Sequence, residues 1–123
     1  MTTASDLVTA FCAEWATGTP ESIAEYFSDD AVYHNIPMEP LVGKPAILEF
    51  LRGFLGSFGN IHFTVHHQAG VGDTVLNERT DRFTIGDNKI ELPVMGTFEV
   101  RDGKIVAWRD YFDMAPFTAM TAG

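Results

Sequence analysis

Cysteine is almost absent. Cys12 is the only one in 123 residues, so no disulfide can form within the chain and packing must hold the fold. Basic residues are scarce too: eight Lys and Arg face seventeen Asp and Glu, a formal net charge of −9. That balance excludes a general phosphate-backbone binder, which needs a basic face, and no nucleic-acid partner is expected. No apolar run approaches the roughly 18 residues of a membrane span, so no membrane partner is expected either. Met1 to Asp6 has neither the basic nor the apolar part of a secretory leader, and the expected location is the cytoplasm. No Gly/Ser/Pro-rich linker and no internal repeat divides the sequence, so residues 1–123 read as one domain.

Apolar residues, by contrast, are plentiful. They make up 46% of the chain, enough for one real core at this length. Ser5 reads as the N-cap of a helix to about Thr17, with Leu7, Val8, Phe11, Cys12 and Trp15 at helical spacing. On that stripe Cys12 is a small core residue. Thr19-Pro20-Glu21 restarts a helix with Pro at its first position, running to about Tyr26. Asp29-Asp30 reads as a turn and Ala31 to Asn35 as a short strand. Pro45 opens a third helix, to about Ser57, with Phe50, Leu51 and Phe54 on its apolar face. Four long strands follow, about Ile61–Val71, Thr74–Ile85, Lys89–Val100 and Lys104–Met114, joined by short Gly- and Asp-containing turns. Short connectors make neighbours antiparallel hairpins. Ala115 to Gly123 reads as a loosely packed terminus.

Helices first and a strand meander after them give an α+β fold. The expected shape is a curved antiparallel sheet, a cone-shaped half barrel, with N-terminal helices covering a deep apolar pocket. Side chains two apart on a strand share a face. The face of Thr74–Ile85 that carries Val75, Phe83 and Ile85 also carries Arg79 and Asp81. Asp110 shares a face with Val106, Trp108 and Phe112, opposite Ile105 and Arg109. Tyr33 and Asn35 share a face of the short strand. Charges on a buried face are costly unless paired and hydrogen-bonded. Burial raises a carboxyl pKa and a nearby Arg lowers it, so this trio can hold one Asp protonated and one ionised. That is an acid and a base facing one substrate. Parity alone does not say which is which. A purely structural ion bridge is the competing reading, and a bulge before Asp110 would turn it outward. His34, His62, His66 and His67 read as solvated side chains without a converging carboxylate, so no metal site is expected.

Three segments carry a resemblance. Tyr33-His34-Asn35-Ile36-Pro37, Asn77-Glu78-Arg79-Thr80-Asp81 and Trp108-Arg109-Asp110-Tyr111-Phe112-Asp113 resemble, in order and spacing, signatures of the limonene-1,2-epoxide hydrolase family. That family lies within the larger NTF2-like (cystatin-like, SnoaL-like) group. The resemblance implies one-step hydrolysis of a small or medium apolar epoxide, of terpene or cycloalkene type, to a vicinal diol without a covalent intermediate. By that likeness Asp110, with Tyr33 and Asn35, holds and deprotonates the water, Asp81 protonates the oxirane oxygen, and Arg79 bridges the two carboxylates. It also implies no cofactor, no metal, and a homodimer through the outer sheet face, where Met95, Thr97 and Tyr111 point. Phe54, Phe58, Phe63, Phe83, Leu92, Val94, Trp108 and Phe112 are the expected pocket wall. Two other classes use the same cone: proton-transfer isomerases and polyketide cyclases, and non-catalytic ligand-binding domains.

Overall fold

The structure is a computed structural model that describes residues 2–116 and Thr118. The expected loose tail falls mostly on residues outside that set. Helix α1 spans Ala4–Thr17 and buries Val8, Phe11, Cys12 and Trp15. Its N-cap is Thr3, not Ser5. Thr3 and Asp6 exchange side-chain-to-backbone bonds in a capping box, which satisfies two orphan donors at once. Ser5 instead accepts a bond from Gln68. Helix α2 is short, Pro20–Ala24, and α3 spans Lys44–Ser57, with Pro in its first turn and Ile47 and Leu51 buried.

Six strands form one sheet in the order β2-β1-β6-β5-β4-β3. They are β1 (Phe27–Asn35), β2 (Leu41–Val42), β3 (Gly59–Val71), β4 (Thr74–Ile85), β5 (Asn88–Arg101) and β6 (Lys104–Tyr111). The hairpins from β3 to β6 match the sequence reading. Elsewhere the sheet departs from it. The β1–β6 pair is parallel, because β1 precedes the meander and returns to its far edge rather than through a hairpin. The strand also starts at Phe27, so Asp29 and Asp30 lie in a bulged stretch of β1 rather than a turn. The two-residue β2 pairs with Tyr33 and Val32 and carries no sequence pattern of its own.

Two further bulges redirect side chains. Glu99 pairs with Ala107 while Val100 pairs with Ile105, which leaves Val106 as the extra residue. Ile105 is therefore fully buried and Val106 only half-buried, the reverse of strict alternation. In β3, His67 pairs with Glu78 and Gln68 with Asn77, after a shift at His66. Gln68 thus turns inward. The bulge before Trp108 leaves Asp110 on the inner face, opposite Gly96 of β5.

Aromatic rings knit the helices to the sheet. Trp108 is fully buried, stacked on Tyr33 at 4.2 Å and on Phe98 at 5.3 Å, with Phe11 edge-on at 5.0 Å. Such pairs add about 0.5–1.5 kcal/mol each beyond the area they bury. They fix the inner ends of β1, β5 and β6, where the polar residues sit.

Candidate active site

Arg79 stands on β4 between two carboxylates. Its Nε donates to Asp81 Oδ1 at 3.0 Å and its Nη2 to Asp81 Oδ2 at 2.9 Å. Nη2 also donates to Asp110 Oδ2 at 2.8 Å, and Nη1 to Asp110 Oδ1 at 3.3 Å. Nη1 has one further partner, Asn77 Oδ1 at 3.0 Å. A guanidinium has five N–H donors, and all five are used. The rings of Phe63, Trp108 and Phe98 surround its carbon at 5.2, 5.7 and 5.9 Å. Arg79 is 1% exposed, Asp110 3% and Asp81 6%.

The cluster carries one positive and two negative charges, so full ionisation leaves a buried excess of one negative charge. Burial pushes Asp110 from 3.8 to about 6; Arg79 and the Trp108 N–H pull downward, and the Asp81 charge adds to the rise. The Trp108 Nε1–H bond to Asp110 Oδ1 is 2.6 Å. Arg79 is held charged by the two aspartates against its burial. Burial, with the Asp110 charge, also pushes the Tyr33 hydroxyl up, so it stays protonated. Burial pushes the Cys12 thiol up to about 12, which removes it as a nucleophile near neutral pH.

The cluster opens onto a cavity of about 190 Å³. Asp81, Asp110, Tyr33 and Asn35 line it, while Arg79 lies behind the carboxylates. Asn35 is opposite Asp110 and Tyr33 opposite Trp108 in the β1–β6 ladder, and the Tyr33 hydroxyl donates to Asn35 Oδ1 at 3.3 Å. The structure thus brings together all five polar residues singled out from the sequence. Of the expected apolar wall, Phe54, Phe58, Phe63 and Phe83 line the cavity, as do Leu92, Val94 and Phe112. Trp108 does not. It lies behind Tyr33, where its N–H serves Asp110.

The SnoaL-like domain family matches residues 8–108. The chain belongs to the SnoaL-like family. An epoxide hydrolase of Mycobacterium tuberculosis, EphG, is 36% identical over 94 residues, covering 76% of this chain and 62% of that protein. The match therefore spans less than two-thirds of that relative's length. A solved structure of an LEH-like epoxide hydrolase from M. tuberculosis superposes with a TM-score of 0.85 at 33% identity, covering 98% of this chain and 90% of the other. A protein with a ketosteroid isomerase-like fold from Catenulispora acidiphila superposes at 0.84 with 21% identity, covering 95% and 92%; that likeness concerns the fold alone.

This SnoaL-like chain also has site residues that the sequence reading passed over. Asn77 lies on the inner face of β4, two residues before Arg79. It is 1% exposed and links Arg79 to Gln68, donating to Gln68 Oε1 at 3.1 Å. Gln68 in turn donates to Ser5 Oγ and Thr9 Oγ1 on α1, so a polar chain ties the first helix to the guanidinium. The bulge at His66 hid Gln68 from parity. Gly96 matters for its missing side chain: a Cβ there would lie 2.5 Å from Arg79 Nη1 and 2.7 Å from Asp110 Oδ1. It lies opposite both Asn77 and Asp110, and its bare backbone is what lets the ion pair cross β5.

Proposed function

We propose that this chain is an epoxide hydrolase that adds water to an apolar epoxide, of terpene or cycloalkene type, in one step. The observation that carries this reading is the saturated Asp81–Arg79–Asp110 bridge at the floor of an apolar cavity. The similarity to EphG and to the LEH-like hydrolase supports it. Asp110 is the general base. A carboxylate with a pKa near 6 is ionised at neutral pH yet basic enough to take a proton from water. Asn35, its partner across the ladder, and Tyr33, which donates to Asn35, orient that water. Asp81 is the general acid at the oxirane oxygen.

In the reacting step the water oxygen bonds to an epoxide carbon as the C–O bond breaks. One water proton passes to Asp110, and the Asp81 proton passes to the departing oxygen, giving the diol. The proton then returns from Asp110 to Asp81 through a cavity water, restoring both groups. Arg79 keeps its positive charge throughout and is equidistant in role between the two states. All five of its donors are engaged, so it acts on the carboxylates rather than on substrate. This charged bridge separates the reading from a proton-transfer isomerase, whose oxyanion hole needs neutral donors. The reading requires no cofactor and no metal. We assign the outer sheet face, where Leu76, Met95 and Tyr111 are exposed, to a homodimer; a monomer in sedimentation would remove that assignment alone.

The test is turnover of limonene-1,2-epoxide and cyclohexene oxide by wild type, Asp81→Asn and Asp110→Asn in oxygen-18 water. The expected result is diol from wild type, loss in both folded variants, and label in the diol after a single turnover. Label in an aspartate would overturn the one-step mechanism, and a wild type inert toward both of these and toward styrene oxide would overturn the reaction.

A further inference from the structure

The cavity wall is unusually rich in aromatic rings. Eight of its fifteen lining residues are Trp, Tyr or Phe, against four non-aromatic apolar ones, Leu92, Val94, Met38 and Met114. The rings are arranged, not scattered. Phe54, Phe58 and Phe83 meet pairwise at 4.7–5.4 Å, and Trp15 stacks on Phe63 at 4.8 Å. Apart from the Trp15 indole, hydrogen-bonding side chains on the lining are Asn35, Tyr33 and the two aspartates. The volume of about 190 Å³ is below the roughly 300–1,000 Å³ of pockets for drug-sized ligands, so the space suits one ring and a small reacting group.

We propose that the cavity selects epoxides bearing a single aromatic ring, of the styrene oxide type, over their saturated-ring counterparts. This inference rests on the epoxide hydrolase reading and moves its preferred substrate from the saturated ring to the aromatic one. Two physical arguments converge on it. A phenyl group can meet the wall rings edge-to-face or offset-stacked, gaining about 0.5–1.5 kcal/mol per pair beyond burial; a cyclohexyl group cannot. Burial alone gives no such preference, because the saturated ring is at least as hydrophobic. Second, acid-assisted opening builds positive charge on the carbon that loses oxygen. A benzylic carbon spreads that charge, and the aromatic faces of the wall favour it. The attacked carbon should therefore be the benzylic one: its C–O bond breaks, the water oxygen bonds to it, and the Asp81 proton goes to the oxygen left on the terminal carbon.

Styrene oxide and cyclohexyloxirane differ only in the ring. Wild-type kcat/KM for each, divided by its own uncatalysed hydrolysis rate at the same pH, should favour styrene oxide by about threefold or more, one ring pair's worth. Oxygen-18 from water should appear at the benzylic carbon. Phe54→Leu should narrow the ratio. Should that variant not fold, the two product diols are compared as competitive inhibitors of wild type, and 1-phenylethane-1,2-diol should bind more tightly than its cyclohexyl analogue. Hydrolysis of both epoxides with an equal or reversed ratio would overturn this inference and leave the epoxide reading standing. So would turnover of cyclohexene oxide with styrene oxide untouched. Inertness toward every epoxide named would overturn the reading itself, and the inference with it.

Discussion

Replacing Asp110 by Asn separates the demands of stability from those of chemistry. The native pKa of about 6 lies above the ordinary 3.8, so the native state binds the proton more tightly than the unfolded chain. The associated stability is fully present below about 3.8 and is lost as pH rises through about 6. The whole effect is about 3 kcal/mol, and about 1.4 kcal/mol of it falls between pH 5 and pH 8. Asn is neutral throughout and carries no such slope. Asn also leaves one Nη2–H of Arg79 without its carboxylate oxygen, an opposing cost of about 1–3 kcal/mol that does not depend on pH. Urea unfolding of both proteins across that range measures the difference. The gap between variant and wild type should move by about 1.4 kcal/mol in the variant's favour from pH 5 to pH 8, while turnover falls by roughly 10²–10⁴. Parallel stability curves would refute the raised pKa, and with it the reason for naming Asp110 the base.

The same titration should appear in kinetics, where log kcat/KM of wild type falls with unit slope below about pH 6 as the base is protonated; a flat acid limb would contradict it. Gly96→Ala places a methyl group 2.5 Å from Arg79 Nη1 and should cost about 1–3 kcal/mol from overpacking, with loss of turnover, read by thermal unfolding and rate together. Asn77→Ala removes the acceptor of one Arg79 N–H and should cost about 1–3 kcal/mol, lowering kcat more than it raises KM because no contact with the cavity is lost. Arg79→Lys keeps the charge but not the planar five-donor fork, and should lose activity nearly as fully as removal of either aspartate; retained activity would show that charge alone is sufficient.

Much of this was legible because the reacting residues occupy strand stretches of undisturbed alternation. Along Val75, Asn77, Arg79, Asp81 and Phe83 the buried face is continuous, and each pairs one-to-one with β5. Parity therefore put Arg79 and Asp81 on the inner face without help from tertiary context. The parity reading failed at Ile105 and Gln68, each beside a bulge, since one inserted residue reverses every side chain beyond it. It gave no sign of β2 or of the parallel β1–β6 pair, whose partners lie far apart in sequence. Trp108 was assigned to the wall because apolar residues on one face cannot be ranked by depth from sequence; only its stacking beneath Tyr33 shows it to be second in line.

The positions of the bulges bear on the chemistry itself. Asp110 lies four residues past Val106, the extra residue of the β5–β6 bulge, and from Glu99–Ala107 to Met95–Tyr111 the ladder is regular. In β3 the shift at His66 falls beside Arg79 and Glu78 rather than beside Asp81. One irregularity turns Ile105 into the core, and the other turns in Gln68, which reaches Asn77. The two carboxylates are left on regular ladder, and the arginine between them is regular along its β5 side, so backbone bonds hold their spacing. A bridge with distances of 2.8–3.3 Å on both flanks can keep two carboxyl groups in one buried space only if neither strand can slide. A shift of one residue in β6 would exchange Asp110 for Arg109 or Tyr111, and Arg79 would face either a second cation or a neutral ring. The regular ladder beyond each bulge is thus as necessary to the acid–base pair as the side chains are.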